Sequence, residues 1–279
     1  MNADSSPSSN LLQEPPTPST PFHPADTFAM IIHLHAFPPT RPQLLSIRGA
    51  VLSIIEYSGA SDSSPSDPPT LVLPLSSIIS LDIQTHGNAR YPYKLVIHTH
   101  SGQSIDQHYF FANNQGHCEE LRGQLGFQTR AHWLLLLNPR GGSGSAKAVF
   151  DASKNIIMGA GIKLSWMETR WEQDAFSVIK NMSKEMFKQF DQIVCCSGDG
   201  IIHEVINGFF AREDRQELRL RIGALPAGSA CSFVYYSLKE RGLEFNLDNA
   251  LYLLLRGEAR PMELMKFTIQ PFNRVGTFI

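Results

Sequence analysis

The stretch IVCCSGDGIIHEVINGF, residues 193–209, decides how this chain is read. A continuous apolar run stops at Ser197, Gly198 and Gly200 bracket a single acid, Asp199, and an amphipathic segment begins at once. A short unbroken apolar run is what a strand buried on both faces of a parallel sheet requires. A strand that turns through glycine straight into a helix is half of a βαβ unit. The turn then lies at the carboxyl edge of the sheet, where open α/β folds take their ligands. Asp199 has two readings there. It can cap the helix that follows, or it can accept the proton of an attacking hydroxyl beside a bound phosphate. Capping needs neither flanking glycine, whereas the glycines leave room for a substrate and a nucleotide to crowd in. Glu204, one helical turn further along, can hold a second polar group of that nucleotide.

Working outward, the same alternation repeats. HWLLLLN (132–138) is another short apolar run, and it leads through PRGGSGSA (139–146) into KAVFDASKNIIMGAG (147–161), whose apolar residues recur at helical spacing and stop at glycines. The strand IKLSWMET (162–169) follows, then a helix over about 172–188 and the strand DQIVCCS (191–197). After the helix from GIIHEVINGFF (200–210) come the strand RIGALPA (221–227) and a helix over NLDNALYLLLRG (246–257). Strands alternating with helices predict an α/β layer fold with a parallel sheet. In the first turn Gly141, Gly142 and Gly144 keep the backbone free of Cβ atoms, so peptide N–H groups can approach an anion at the positive end of a helix. The spacing is neither a Walker A loop nor a dinucleotide fingerprint. A phosphate cradle and a plain glycine turn both remain open for this segment alone. The acid between glycines in the other turn favours the phosphate.

The first 128 residues have a different texture. Residues 1–25 are rich in Ser and Pro and read as a disordered tail. Residues 27–128 read as short strands, FAMIIHLHAF, QLLSIRGAVLSIIEY, TLVLPLSSIISLDIQ, YKLVIHTHSG and DQHYFFAN, closed by an amphipathic helix over NNQGHCEELRGQLGF. Antiparallel strands followed by one helix resemble a pleckstrin-homology-like barrel. His33 with His35, and His98 with His100, share strand faces at i, i+2. No third ligand stands at a recognisable spacing, so these histidines are expected to face solvent.

Composition narrows the function. The formal charge of −2, with no basic run, gives no electrostatic case for nucleic acid as a partner. Four cysteines without CxxC spacing suit reduced, packed thiols rather than a disulfide framework. No apolar run approaches the roughly 18 residues of a membrane-spanning helix. The expectation is a soluble, cytoplasmic protein whose membrane contact is peripheral.

The ordered set NPRGGSGSA (138–146), ETRWEQDA (168–175), SGDGIIHEVINGF (197–209), LPAGS (225–229) and RPMELM (260–265) resembles the diacylglycerol-kinase catalytic domain shared by lipid kinases. Serine before GDG and HEVING after it look like sphingosine kinases in particular, since diacylglycerol and ceramide kinases usually carry glycine in the first place. The resemblance covers about 131–279. It implies a three-layer, doubly wound, mostly parallel α/β sheet, preceded by the small β-rich domain. It also implies ATP and Mg2+ as cofactors, and phosphorylation of the primary hydroxyl of sphingosine or a related long-chain base to the 1-phosphate. Carried over residue by residue, the family pattern sets Asn138, Pro139, Arg140, Gly142 and Gly144 against ATP. Thr169, Arg170, Trp171, Glu172 and Gln173 become the second wall of the nucleotide site. Ser197, Gly198, Gly200 and Glu204 complete it, Ser197 also faces the lipid, and Asp199 is the base.

Two departures from the pattern matter. The third loop begins as the family's does, with Gly228 and Ser229, but Ala230 and Cys231 stand where glycine and asparagine are usual. Ala230 is expected to hinder a positive φ and close backbone approach. Glu263 stands where sphingosine kinases normally carry the Asp that binds the amino-alcohol head. The family also continues into a second lobe that supplies most of the lipid pocket, and the chain ends at RVGTFI, inside the strand expected to lead there. A fragment, a shortened product or an enzyme remnant would each look like this. Kinases of diacylglycerol, ceramide or NAD, and a non-catalytic module engaging a membrane or protein, remain as alternatives.

Overall fold

The computed structural model describes residues 33–35, 42–48, 50–56, 69, 71–89, 91–127, 131–140, 144–269 and 274–278. The expected tail over 1–25 and the glycines Gly141 and Gly142 lie outside them.

The strand-rich half contains β1 (His33–His35), β2 (Pro42–Arg48), β3 (Val51–Glu56), β4 (Leu71–Pro74), β5 (Ile78–Thr85), β6 (Tyr93–His100) and β7 (Ile105–Ala112), followed by helix α1 (Gln115–Gln124). They form one seven-stranded sheet of order β4-β3-β2-β1-β7-β6-β5, antiparallel at every pairing. Five expected runs become seven strands because two of them are each divided into two strands. The first turns between β2 and β3, where Arg48 pairs with Val51. The second breaks at Pro74, which has no amide to donate to a ladder, and a 3-10 turn over Leu75–Ser77 leads into β5. Asn114 starts α1 as the sequence suggests, its side chain accepting from Gly116 N at 2.7 Å.

The histidine expectation is corrected. His98 and His100 are 4% and 8% exposed. β6 is a central strand between β5 and β7, and residues Leu95 to His100 are buried whichever way they point. The His98 ring meets Ser80 Oγ at 2.8 Å, and His100 Nε2 meets Asn249 Oδ1 at 2.6 Å. A buried polar group needs such a partner. Of His33 and His35 only the backbone is described.

The second half opens with β8 (His132–Leu137), α2 (Ala146–Gly159) and β9 (Lys163–Glu168). It continues through α3 (Asp174–Asn181), α4 (Lys184–Phe187), β10 (Gln192–Ser197), α5 (Asp199–Phe210) and β11 (Ile222–Pro226). Then come α6 (Ser232–Lys239), α7 (Leu247–Arg256), and an antiparallel pair, β12 (Met265–Ile269) with β13 (Arg274–Phe278). β8 to β11 form a four-stranded parallel sheet of order β11-β10-β8-β9. Alternation inside the apolar runs sends Leu135, Leu137, Val194, Cys196 and Leu225 into one core with α2 and Leu251 of α7. Leu134, Leu136, Ile193, Cys195 and Ala224 enter the other core with α3, α5 and α6. Three layers result, as expected.

Two local readings change. The helix over about 172–188 is two helices, because Met182 is extended and Ser183 opens α4 by accepting from Met186 N at 3.2 Å. Helix α6, which was not expected, begins directly after the third loop. The four cysteines are buried and unpaired. Burial pushes the Cys118 thiol up to about 11 and the Cys196 thiol up to about 12.

One apolar cluster runs without a break from Leu52, Ile79, Leu95 and Ile97 of the strand-rich half to Phe150, Ile157 and Leu251 of the second. A Cβ on Gly159 of α2 would lie 3.2 Å from Asp82 N, so β5 sits directly on that helix. Helix α7 is stitched to the same half. The His100 ring stacks on Tyr252 at 4.1 Å, Asp248 accepts from Ile105 N at 2.9 Å, and Asn246 donates to Gln103 O at 3.0 Å. The texture of the sequence changes near residue 130, but the core does not.

Candidate active site

Strand order creates the site. The chain leaves β8 for β9 on one side of the sheet, then returns to place β10 and β11 on the other. The loops after β8 and β10 therefore part at a topological switch point, where open α/β sheets hold ligands. These are the two glycine turns. Asn138 N donates to Cys196 O at 3.4 Å and ties the two strand ends together. Asn138 Oδ1 accepts from Arg140 N at 3.1 Å, folding Pro139 into a tight turn. Gly144, with φ +71 and nothing within 4 Å of where a Cβ would stand, keeps the freedom expected of it. Ser145 Oγ donates to Ala227 O at 3.3 Å and joins this loop to the one after β11.

Asp199 is a cap, but not of its own helix. Its Oδ2 accepts from Ser232 N at 2.8 Å and its Oδ1 from Phe233 N at 3.1 Å, so the carboxylate closes the start of α6. The two flanking glycines have separate reasons. A Cβ on Gly198 would stand 2.5 Å from Ala230 O, and one on Gly228 would stand 2.4 Å from Gly198 Cα. Gly198 and Gly228 thus let the second and third loops touch, and Asp199 N donates to Ala230 O at 3.2 Å. Contact between the two loops is thus a reason for glycine at 198 that the sequence did not offer. Gly200 has nothing within 4 Å and fits the reading that glycine makes room for a ligand.

The substituted third loop is well built. Gln173 is the non-glycine residue with positive φ among the described residues, so Ala230 does not need the left-handed region. The carbonyl of Ala230 is the part of that residue that meets Gly198. Cys231 is buried, its thiol directed to Ser197 O at 3.5 Å and Gly228 O at 3.6 Å. Ser229 is exposed beside it, and Ser197 is buried at the end of β10.

The second wall follows β9. Thr169 is buried, and its N–H extends the ladder to Leu137 O at 2.8 Å. Arg170 faces Asp174, with Nε to Oδ2 at 3.2 Å and Nη2 to Oδ1 at 3.1 Å, and its guanidinium lies 4.0 Å from the Trp171 ring. Arg140 Nη1 donates to Arg170 O at 3.4 Å, which brings the first two loops together. Glu172 and Gln173 are exposed, Gln173 at φ 65. Glu204 Oε2 accepts from Ala175 N at 3.1 Å and caps α3. Glu263 is exposed in the segment between α7 and β12, and among the described residues no hydrogen bond or ion pair joins it to Asp199.

Asp174 was missed by the sequence reading, although an acid four residues after an arginine at a helix start is a visible signal. The Arg170 guanidinium beside Asp174 holds its carboxyl below the usual carboxylate range. The donor set suits a nucleotide polyphosphate: two guanidinium groups, bare backbone at Gly144 and Gly200, and loop amides at a switch point. Among the described residues no cluster of three or more His, Cys, Asp or Glu gathers to hold a metal. Mg2+ commonly binds through one or two carboxylates and the substrate's phosphates, so this site fits Mg2+ arriving with the nucleotide.

The diacylglycerol kinase catalytic domain family matches residues 132–267. Sphingosine kinase 1 of Arabidopsis thaliana is 34% identical over 133 residues, 47% of this chain and 27% of that protein. Sphingosine kinase 2 of Homo sapiens is 33% identical over 156 residues, 52% of this chain and 23% of that protein. The chain thus spans well under half the length of the curated relatives it matches. A diacylglycerol kinase from Bacillus anthracis of known structure is 21% identical, with a TM-score of 0.36 over 49% of this chain and 42% of the other. Residues 132–267 are therefore a match to the diacylglycerol kinase catalytic domain, and the relatives make that segment sphingosine-kinase-like.

Proposed function

We propose that the protein carrying this chain transfers the terminal phosphoryl group of ATP to the primary hydroxyl of a long-chain base such as sphingosine. The observation that carries this reading is the Asp199 turn. A carboxylate at the switch point stands beside Gly200, whose open face leaves room for a ligand, with the arginine-bearing loops after β8 and β9 at the same sheet edge. In this reading the lipid oxygen attacks the terminal phosphorus, the bond to the ADP oxygen breaks, and the hydroxyl proton passes to Asp199. Each Asp199 oxygen accepts one amide and keeps a lone pair for that proton. Mg2+, bound with the phosphates, would offset their charge. Asn138, Arg140, Arg170, Trp171 and Glu204 border the nucleotide, and Glu263 is the acid offered to the cationic head of the lipid. Contact with the membrane that supplies the lipid is peripheral in this reading; no helix among the described residues is long and apolar enough to cross one.

Asp199→Asn tests the reading, provided its capping role is controlled. Asparagine keeps one acceptor and loses one of the two amide bonds to α6, a loss of about 1 kcal/mol of stability. Loss of a positioned base lowers the rate by roughly 10²–10⁴-fold. Lipid phosphorylation, ATP affinity and unfolding are measured on the same preparations of the protein containing this chain. A variant that phosphorylates sphingosine at near the parent rate leaves Asp199 a cap and nothing more.

A further inference from the structure

We propose that Asp174 is a positioning residue for nucleotide phosphate: it holds Arg170 with one edge of the guanidinium turned to the ligand. The inference rests on the ATP-binding reading above and goes beyond it. The Asp174 side chain is 1% exposed, whereas that of Arg170 is 63% exposed. The pair is asymmetric, with its base at the surface. Here a buried acid grips an exposed base by one edge. Asp174 accepts from Arg170 Nε at 3.2 Å, from Nη2 at 3.1 Å, and from the Arg170 backbone N at 2.9 Å.

The grip is not a by-product of helix capping. Asp174 is the first residue of α3, but the free amide of Ala175 is taken by Glu204. The Asp174 carboxylate therefore turns back toward Arg170. The flat face of the guanidinium is held as well, 4.0 Å from the Trp171 ring. Among the described residues Arg170 Nη1 has no hydrogen-bond partner. An arginine fixed by one edge and one face has already lost most of its rotamer freedom, so a phosphate that binds the remaining edge meets a preorganised donor. Its location suits that ligand, because the Arg170 carbonyl accepts from Arg140 Nη1 at 3.4 Å and draws in the loop after β8. Two guanidinium groups at the mouth of one switch point select a polyanion over a neutral nucleoside.

Binding of MgATP, tripolyphosphate and adenosine to the whole chain tests this, for the parent, Asp174→Asn, Arg170→Gln and the double variant. Arg170→Lys is included because its exposed site tolerates the change; it keeps the charge and loses the fork. MgATP and tripolyphosphate are expected to weaken roughly tenfold to a hundredfold in each single variant. Arg170→Lys is expected to fall in the same range, adenosine to bind as before, and the double variant to be no worse than either single one. Parent-like binding of MgATP by Asp174→Asn or by Arg170→Lys overturns the proposal. So do an equal loss of adenosine binding and additive losses in the double variant, since both mark a merely structural role. A parent chain that binds neither MgATP nor tripolyphosphate overturns the ATP-binding reading and takes this proposal with it.

Discussion

Central strand β6 and the carboxyl edge of the parallel sheet are both rich in polar groups, and they treat those groups in opposite ways. Along β6, His98 meets Ser80, Thr99 meets His108 at 3.0 Å, and His100 is held by Asn249 on one nitrogen and Gly102 N on the other. Each of these side chains has a partner within the fold. At the sheet edge, Gly200 opens on empty space and Arg170 keeps an edge without a partner among the described residues. Polar content alone does not distinguish a site from a fold-holding network. The difference lies in which groups stay unmatched after folding, since a buried polar group without a partner is costly and an exposed one aimed at a crevice is available.

The largest expected effect separates the two glycines of that edge. Gly198→Ala drives a Cβ to 2.5 Å from Ala230 O, a backbone atom with little freedom to move. Overpacking of this kind costs about 1–3 kcal/mol, and urea unfolding should show the upper end together with lost ATP binding. Gly200→Ala meets nothing within 4 Å and lies inside α5, so stability should hold or rise while ATP binding weakens. Equal behaviour of the two variants would break the distinction between a packing glycine and a ligand-facing one.

A smaller effect is expected from the β6 network. Asn249→Ala removes the acceptor of His100 Nε2 and leaves a buried donor, at a cost of about 1–2 kcal/mol. Hydrogen exchange along β6 and α7 should rise, and ATP affinity should stay at the parent value. A change in ATP affinity instead would mean that the strand-rich half is coupled to the sheet edge.

Smallest is a pH effect. Burial lowers the His98 and His108 values from their ordinary range, so folding favours the neutral rings. Their contribution is full above about 6.5 and is lost as pH falls through the depressed values. Asp174 is also lowered, by its bond to Arg170, so its contribution is full above the usual carboxylate range and is lost as pH falls through that range toward the depressed value. Acidification from pH 7 to pH 5 should therefore loosen β6 before the sheet edge. His98→Gln should flatten that dependence in thermal unfolding; an unchanged slope would place the acid sensitivity elsewhere.

Much of the second half was legible because its signals are local. Runs such as HWLLLL and QIVCCS are too short for helices and too apolar for a half-exposed strand, and both are parallel strands. The amphipathic segments after each glycine turn are helices α2 and α5. The misreadings share a cause. His98 and His100 stand on either side of Thr99 in a polar strand end and read as solvent-facing, but α7 covers that face, with Asn249 and Tyr252 against His100. SFVYYSLK carries weak helical patterning, and α6 begins at Ser232 and Phe233, whose amides are met by Asp199, an acid 33 residues before Ser232. Asp174 drew no attention because its meaning depends on Arg170 curling back to it, with Trp171 beneath.

The sequence by itself determined the layer type, the two glycine turns between strand and helix, and the absence from those turns of a Walker lysine. It could do so because helix and strand periodicities, and the freedom of glycine, belong to a few neighbouring residues. Only the tertiary structure decided that the chain adds β9 on one side of β8 and then returns to place β10 on the other, so that turns far apart in the sequence share one crevice. It also decided that Gly198 serves a backbone contact while Gly200 faces open space, and that Asp199 and Glu204 cap helices other than their own. Each of those facts depends on which loop lies beside which, and that is set by strand order and long-range packing rather than by any local run of residues.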